Sequence, residues 1–236
     1  MVGGKVKKTV NFRNLALIFL FLVTVLVWFK VATADTSNLL KVYFLNIGQG
    51  DSIFIEAPNG NQVLIDGGPG RGVLRALGEV MSWDDKTLDL IIATHPDADH
   101  VGGLPAVLER YQVLGVMDNG QTADTSYFAA WQTTKEEEVK IGAKKLLASR
   151  GQRIVLGEQI YLDIIYPNSV PNGKDTNDGS IVAKLNYGKI GFLLTGDSTI
   201  KAENVLLASG HDLESEVLKV GHHGSKTSSG PKYVAS

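Results

Sequence analysis

At 236 residues the chain is long enough for one substantial domain with its own hydrophobic core. Hydrophobic residues make up 44% and charged residues 20%, with 26 Gly and 7 Pro, which excludes a disordered or fibrous chain. Cysteine is absent, so disulfides are excluded, and a formal charge of −2 excludes a strongly basic chain and advertises no nucleic-acid footprint.

The N-terminus reads "MVGGKVKKTVNFRN", with Lys5, Lys7, Lys8 and Arg13 and no acid, followed by the uncharged "LALIFLFLVTVLVWF". A basic stretch before an apolar one is the pattern of a secretory signal or a membrane anchor. Leu15 to Phe29 would span about 22 Å as a helix; extension to Ala34, with Lys30 snorkelling, reaches bilayer length. Ala32-Thr33-Ala34 also fits a cleavage site, so residues 1–34 are either a signal peptide or a single anchor. The basic side stays in the cytoplasm. The domain at 38–236 is therefore expected to be exported, membrane-anchored with its C-terminal part outside the cytoplasm, or secreted if cleavage occurs. Residues 1–34 hold five positive charges and no negative one, so the remainder carries −7.

In the remainder, "KVYFLNIG", "DSIFIEAP" and "GNQVLIDGG" read as three strands separated by Gly48-Gln49-Gly50 and Pro58-Asn59-Gly60. "RGVLRALGEVMSW" has Val73, Leu74, Leu77 and Met81 at helical spacing, and "LDLIIAT" is an apolar strand. "HVGGLPAVLERY" is expected to be a helix, "VLGVMD" a strand, and residues 124–150 largely helical. "QIYLDIIYP", "SIVAKLNYG" and "KIGFLLTG" follow as strands, "IKAENVLLASG" as a helix and "EVLKVG" as a last strand. This order predicts layered α/β sheets with helices outside.

Apolar strands end in metal-ligating residue types. His95, Asp97, Asp99 and His100 follow "LIIAT", Asp197 follows "FLLTG", and His222 and His223 follow "VLKVG"; Asp66 ends a fourth strand. Strand C-termini in a layered sheet gather at one edge, where residues distant in sequence converge. Imidazole and carboxylate suit divalent first-row metals. His95 and Asp97 can reach one ion, Asp99 and His100 a second, and Asp197 can bridge with one oxygen for each. Two such ions can share a hydroxide nucleophile and clamp a scissile phosphate. Asp99 also fits the N-cap of the following helix.

"THPDADHVGG", "LLTGD" and "LKVGHHGSKTSS", spaced as they are, resemble the metallo-β-lactamase superfamily, and "FLNIGQGDSIFIEAPNGNQVLIDGG" narrows the resemblance to the hydrolase domain of ComEC-type competence proteins. The resemblance covers residues 41–229. It implies a four-layer αββα sandwich with a dinuclear metal centre along one edge. It also implies further elements after Ser236, so the sandwich is expected to lack its last C-terminal pieces. Asp97 stands where the superfamily pattern HxHxDH has its second histidine, and "NDGS" at 177–180 occupies a stretch where another histidine is usual. Asn177 or Asp178 would then supply an oxygen. That exchange shifts the preference of two divalent ions toward Mn²⁺, with Zn²⁺ and Mg²⁺ as the other options.

The resemblance implies roles as well. Asp66 takes a supporting place behind the ligands. One of His222 and His223 binds metal, with His222 favoured, and the other contacts substrate; Asp99 and His223 are the candidate catalytic residues. Gln49, Asp51, Ser52 and Ser225 are expected to face substrate. The implied reaction is hydrolysis of a phosphodiester, with DNA as the substrate and Lys219 and Lys226 as local cations for it. The other readings are a metallo-hydrolase of a different ester and a non-catalytic module binding DNA or a partner at the envelope.

Overall fold

The computed structural model describes residues 12–32 and 39–236, and its contacts divide between Asn38 and Leu39 into two units. In the first unit, α1 (Phe12–Ala32) is long and apolar enough to cross a membrane, and its side chains from Phe12 to Phe29 are exposed. Lys5, Lys7, Lys8 and the small residues Thr33 and Ala34 lie outside the described residues.

The second unit begins with β1 (Lys41–Phe44), β2 (Ile53–Glu56) and β3 (Gln62–Ile65), an antiparallel meander. The chain continues through α2 (Gly72–Val80), β4 (Thr87–Leu88), β5 (Leu90–Ala93), α3 (Ala98–Val101) and α4 (Leu104–Leu108). Next come β6 (Gln112–Val113), β7 (Gly115–Asp118), α5 (Ser126–Ile141) and β8 (Lys144–Leu147). One sheet has the order β1-β2-β3-β5-β7-β8, its last four strands parallel, while β4 and β6 form a separate short ladder. The second half supplies β9 (Arg153–Gly157), β10 (Ile160–Tyr166), β11 (Val182–Tyr187), β12 (Ile190–Leu194), α6 (Ile200–Ala208), β13 (Val217–Leu218) and α7 (Pro231–Val234). Its sheet has the order β13-β12-β11-β10-β9, antiparallel except for the β12–β13 pair.

Period-two alternation distributes the apolar residues into three cores. Ile53, Ile55, Val63, Ile65, Leu90 and Ile92 of the first sheet share a core with Leu162, Ile164, Ala183, Leu185 and Leu194 of the second. The intervening Phe54, Leu64 and Ile91 point the other way, onto Val73 and Leu77 of α2, Val107 of α4 and Trp131 of α5. On the far side, Val182 and Leu193 pack with Leu206 of α6 and Tyr233 of α7. The layers are thus helix, sheet, sheet, helix. Each fully buried Leu or Ile contributes about 1.5–3 kcal/mol. A one-residue slip would turn a whole row of them to the wrong face, which fixes the register.

The structure corrects several sequence expectations. The helix expected over 124–150 stops at Ile141, where Gly142 takes φ 127 and caps it, and Lys144–Leu147 pairs as a strand with β7. The β9 strand was not anticipated. "HVGGLPAVLERY" breaks into α3 and α4 at Gly102-Gly103, just before Pro105. A side chain at Gly103 would place its Cβ 2.0 Å from the Gly67 carbonyl oxygen, so glycine lets α4 close on the loop after β3. The N-cap of α3 is Asp97, not Asp99, and its side chain makes no capping bond.

Candidate metal centre

The ends of β3, β5, β12 and β13 deliver the polar cluster. Asp66, just after β3, adopts φ 60, a left-handed conformation that Asp tolerates better than most residues. Its Oδ1 accepts the Thr94 amide at 2.8 Å and its Oδ2 the Thr94 hydroxyl at 2.7 Å. The same Oδ2 lies 2.8 Å from His100 Nδ1, which turns His100 Nε2 toward Asp197 Oδ2 at 3.3 Å. Thr94 also steers His95: its hydroxyl is 3.0 Å from Nδ1, leaving Nε2 3.7 Å from Asp97 Oδ2. The His95 and His100 rings are 4.1 Å apart between centroids.

Asp97 is half-buried and accepts the Thr176 hydroxyl at 2.6 Å. Asp99 stands in the first turn of α3, and its backbone carbonyl accepts the Asp51 amide at 3.2 Å. Gly50 makes that approach available: it has φ +84, and a Cβ there would lie 1.9 Å from the Asp99 carbonyl oxygen.

On the opposite sheet, Asp197 follows β12 and its amide donates to Ser180 Oγ at 3.3 Å. The turn Gly221–Gly224 holds His222 at φ 46 and His223 at φ 50, two consecutive left-handed residues without glycine. Such strain persists only where surrounding contacts enforce it. Here Ser228 Oγ donates to the Gly221 carbonyl at 2.6 Å, and Ser229 Oγ accepts the Gly221 amide at 3.3 Å. The turn sends the two imidazoles different ways. His223 Nε2 lies 3.2 Å from Asp197 Oδ2 and 3.4 Å from Asp99 Oδ2. His222 Nδ1 is 2.9 Å from Thr227 Oγ1, and its Nε2 is 4.0 Å from Asp197 Oδ2.

Four groups of these side chains have their donor atoms within 4.8 Å of one another: His95, His100 and Asp197; Asp99, His100 and His223; Asp51, Asp66 and His100; and Asp51, Asp197 and His223. His95 Nε2 and His100 Nε2 are buried without a hydrogen-bond partner, and Asp197 Oδ1 has none beyond the Lys219 ammonium at 3.5 Å. Leaving a polar atom so costs about 1–3 kcal/mol. Imidazole nitrogens and carboxylate oxygens converging in this way suit a divalent cation, so the donor set fits the metal that the sequence pattern implies. Burial by itself would push His100 down, but Asp66 and Asp197 outweigh it and raise its pKa to about 10. Burial opposes ionisation of Asp197 as well, yet His100, His95 and Lys219 hold it well below the usual carboxylate range. Burial pushes Asp51 up despite Lys219 beside it.

The family model described as Metallo-beta-lactamase superfamily matches residues 45–234. The chain belongs to the metallo-β-lactamase superfamily. That superfamily's fold binds divalent metals and implies a metal-dependent hydrolase in general. ComE operon protein 3 of Bacillus subtilis is 31% identical over 82% of this chain and 26% of its own length. Recombination protein 2 of Haemophilus influenzae is 28% identical over 80% of this chain and 22% of its own. Competence protein ComA of Neisseria gonorrhoeae is 28% identical over 83% of this chain and 25% of its own. The chain therefore spans about a quarter of the length of these curated relatives.

The superfamily domain brings His95, Asp99, His100, Asp197 and His223 together, with Asp66 behind His100. Asp97 approaches His95 alone, and His222 joins none of the four close groups. Asp178 is placed elsewhere: its carboxylate accepts Thr199 Oγ1 at 2.6 Å and Lys201 Nζ at 2.7 Å. Asn177 Oδ1, by contrast, is buried without a partner. Ser52 is buried, and its hydroxyl donates to the Asp66 carbonyl at 3.0 Å. Asp51 is likewise inside the cluster, paired with Lys219, whereas Gln49 is exposed and Ser225 half-buried. Lys219, expected as a local cation for DNA, has a side chain only 9% exposed and points into the acidic cluster. Its place after an apolar strand is the same signal that marks the ligands, but a lysine is not a ligand type, so the pattern does not put it in the cluster. Thr94 was also missed, since a lone threonine at a strand end carries no chemical signature.

Proposed function

We propose that this domain is an exported phosphodiesterase acting on DNA, with two divalent ions, Mn²⁺ or Zn²⁺, held by His95, Asp97, Asp99, His100, Asp197 and His223. The observation that carries the reading is the convergence of His95 Nε2 and His100 Nε2, both buried without a hydrogen-bond partner, on the buried Asp197 carboxylate. Few nitrogens among many carboxylate oxygens favour Mn²⁺ over Zn²⁺. The distances favour His223 over His222 as the ligand from the Gly221–Gly224 turn.

Bound ions would supply charge neutralisation at a scissile phosphate and a lowered pKa for water. The chain's own groups do the rest. Asp66 and Thr94 hold His100 and His95 in fixed orientations, so that neither ring must reorganise during the reaction. Asp99 Oδ2, on the more open side, accepts the proton of the attacking water. His222, partly exposed and tied through Nδ1 to Thr227, holds a proton at Nε2 for the leaving oxygen.

DNA as substrate is supported by relatives whose names refer to competence and recombination. Export, with α1 as an uncleaved anchor or its segment as a cleaved signal, is supported by Lys5, Lys7 and Lys8 before an apolar helix and Arg13 in its first turn. The −7 charge of the remainder favours a second reading, a metallo-hydrolase of a smaller or less charged ester.

The test takes the full chain in detergent, stripped of metal and resupplied with Mn²⁺, Zn²⁺ or Mg²⁺. Cleavage of labelled single- and double-stranded DNA is followed beside bis(p-nitrophenyl) phosphate and the Asp197→Ala variant. Cleavage of DNA that the variant abolishes is expected. Cleavage of the small diester alone would move the assignment to the second reading, and a folded protein inert toward both would overturn the hydrolase.

A further inference from the structure

One of the four close groups already holds a cation. Lys219 Nζ donates to the Gly196 carbonyl at 2.7 Å, pairs with Asp51 Oδ2, and lies 3.5 Å from Asp197 Oδ1. Asp51 and Asp197 are the two carboxylates of the group completed by His223, whose Nδ1 is 3.5 Å from Asp51 Oδ1. The two oxygens of Asp197 are thereby divided: Oδ2 faces His100, His222 and His223, and Oδ1 faces Lys219. Asp197 was expected to offer one oxygen to each of two metal ions, but one of its oxygens meets an ammonium.

We propose that Lys219 is a resident cation of the centre: its ammonium fills the place framed by Asp51, Asp197 and His223 and keeps a divalent ion out of it. The inference rests on the metal-centre reading above. Three observations support it. The Lys219 side chain is only 9% exposed and its ammonium is bonded to Gly196 and Asp51, so it is not a mobile surface charge. A lysine is a compact point charge that can stand on two carboxylates and a carbonyl much as a hard metal ion does. Strand β13 runs parallel to β12, and Lys219 N donates to the Leu193 carbonyl at 2.9 Å, so the backbone fixes where the side chain starts. Asp51 is consequently a partner of lysine rather than a metal ligand, and Asp197 presents Oδ2 alone to the histidines. The chain thereby sets its metal count: ions enter where imidazoles converge and are excluded where Lys219 stands.

The test counts metal ions by native mass spectrometry on the full chain in detergent, titrated with Mn²⁺ and with Zn²⁺. Relative to wild type, Lys219→Met, which keeps the length and loses the charge, should bind about one more ion per chain, and Lys219→Arg should bind the wild-type number. The double variant Asp51→Asn with Lys219→Met should lose that extra ion. Asp51→Asn alone keeps the ammonium in place and should change neither the ion count nor the affinity by more than about twofold. A folded Lys219→Met chain with the wild-type count overturns the proposal, and so does loss of an ion in Asp51→Asn, which decides the matter even where Lys219→Met fails to fold. Both outcomes leave a metal-binding wild type and so spare the centre itself. A wild-type chain that binds no ion overturns both.

Discussion

Asp66 holds His100 by Nδ1 at 2.8 Å while Nε2 of the same ring faces Asp197 at 3.3 Å. The carboxylate fixes tautomer and ring angle together, the usual office of a residue behind a ligating histidine. Asp66→Asn is the informative change, because Asn tolerates the φ 60 backbone and removes only the charge and one acceptor. Metal affinity should fall about 10–100-fold in a chelator competition, with the fold kept as judged by circular dichroism. An affinity unchanged within experimental scatter would show that His100 needs no such support.

Glu203 controls the other side of the site from a distance. Buried in α6, it accepts the amides of Ser229 and Gly230, and the Ser229 hydroxyl in turn accepts the Gly221 amide of the turn carrying His222 and His223. Hydrogen bonds to a charged group are worth about 1.5–3 kcal/mol. Glu203→Gln replaces one acceptor with a donor facing an amide, and urea unfolding should register a loss of about that size. The variant should also bind metal more weakly through His223. A stability loss without any change in metal binding would limit Glu203 to the core.

How much of this was legible in the sequence depends on the residue. His95, His100 and Asp197 each follow an apolar strand that alternates or runs continuously, and the convergence of strand ends does the rest. The layered architecture followed from the same runs. Lys144–Leu147 was lost because four residues after a long helix carry too little pattern to distinguish strand from helix. The burial of Lys219 and Glu203 is illegible for another reason: it depends on partners distant in sequence. Lys219 meets Asp51 across 168 positions, a pairing no local pattern encodes.

Gly50 gives a steric prediction. A methyl at this position would lie 1.9 Å from the Asp99 carbonyl oxygen, and the backbone is already at φ +84. Gly50→Ala must therefore separate the Asp51 and Asp99 loops or distort both. A destabilisation of about 2 kcal/mol or more is expected by denaturant titration, with hydrolysis reduced because Asp99 moves. Gly60, also at positive φ but with open space around it, is the control: Gly60→Ala should cost about 1 kcal/mol through backbone strain and leave hydrolysis unchanged.

Away from the centre, Asp85 supplies a pH-dependent contribution to stability. Its carboxylate accepts the Thr87 amide at 3.0 Å, the Thr87 hydroxyl at 2.8 Å and the buried Gln62 amide at 2.6 Å. Burial acts to raise its pKa, but these bonds together prevail and hold it below its ordinary 3.8. A group lowered in the folded state stabilises fully above its unfolded value and loses that contribution as pH falls through the folded one. Asp85→Asn should therefore lower the melting temperature at neutral pH, and the gap to wild type should close as pH drops below 3.8. A gap that stays constant down to full protonation would mean that shape, rather than charge, makes Asp85 useful.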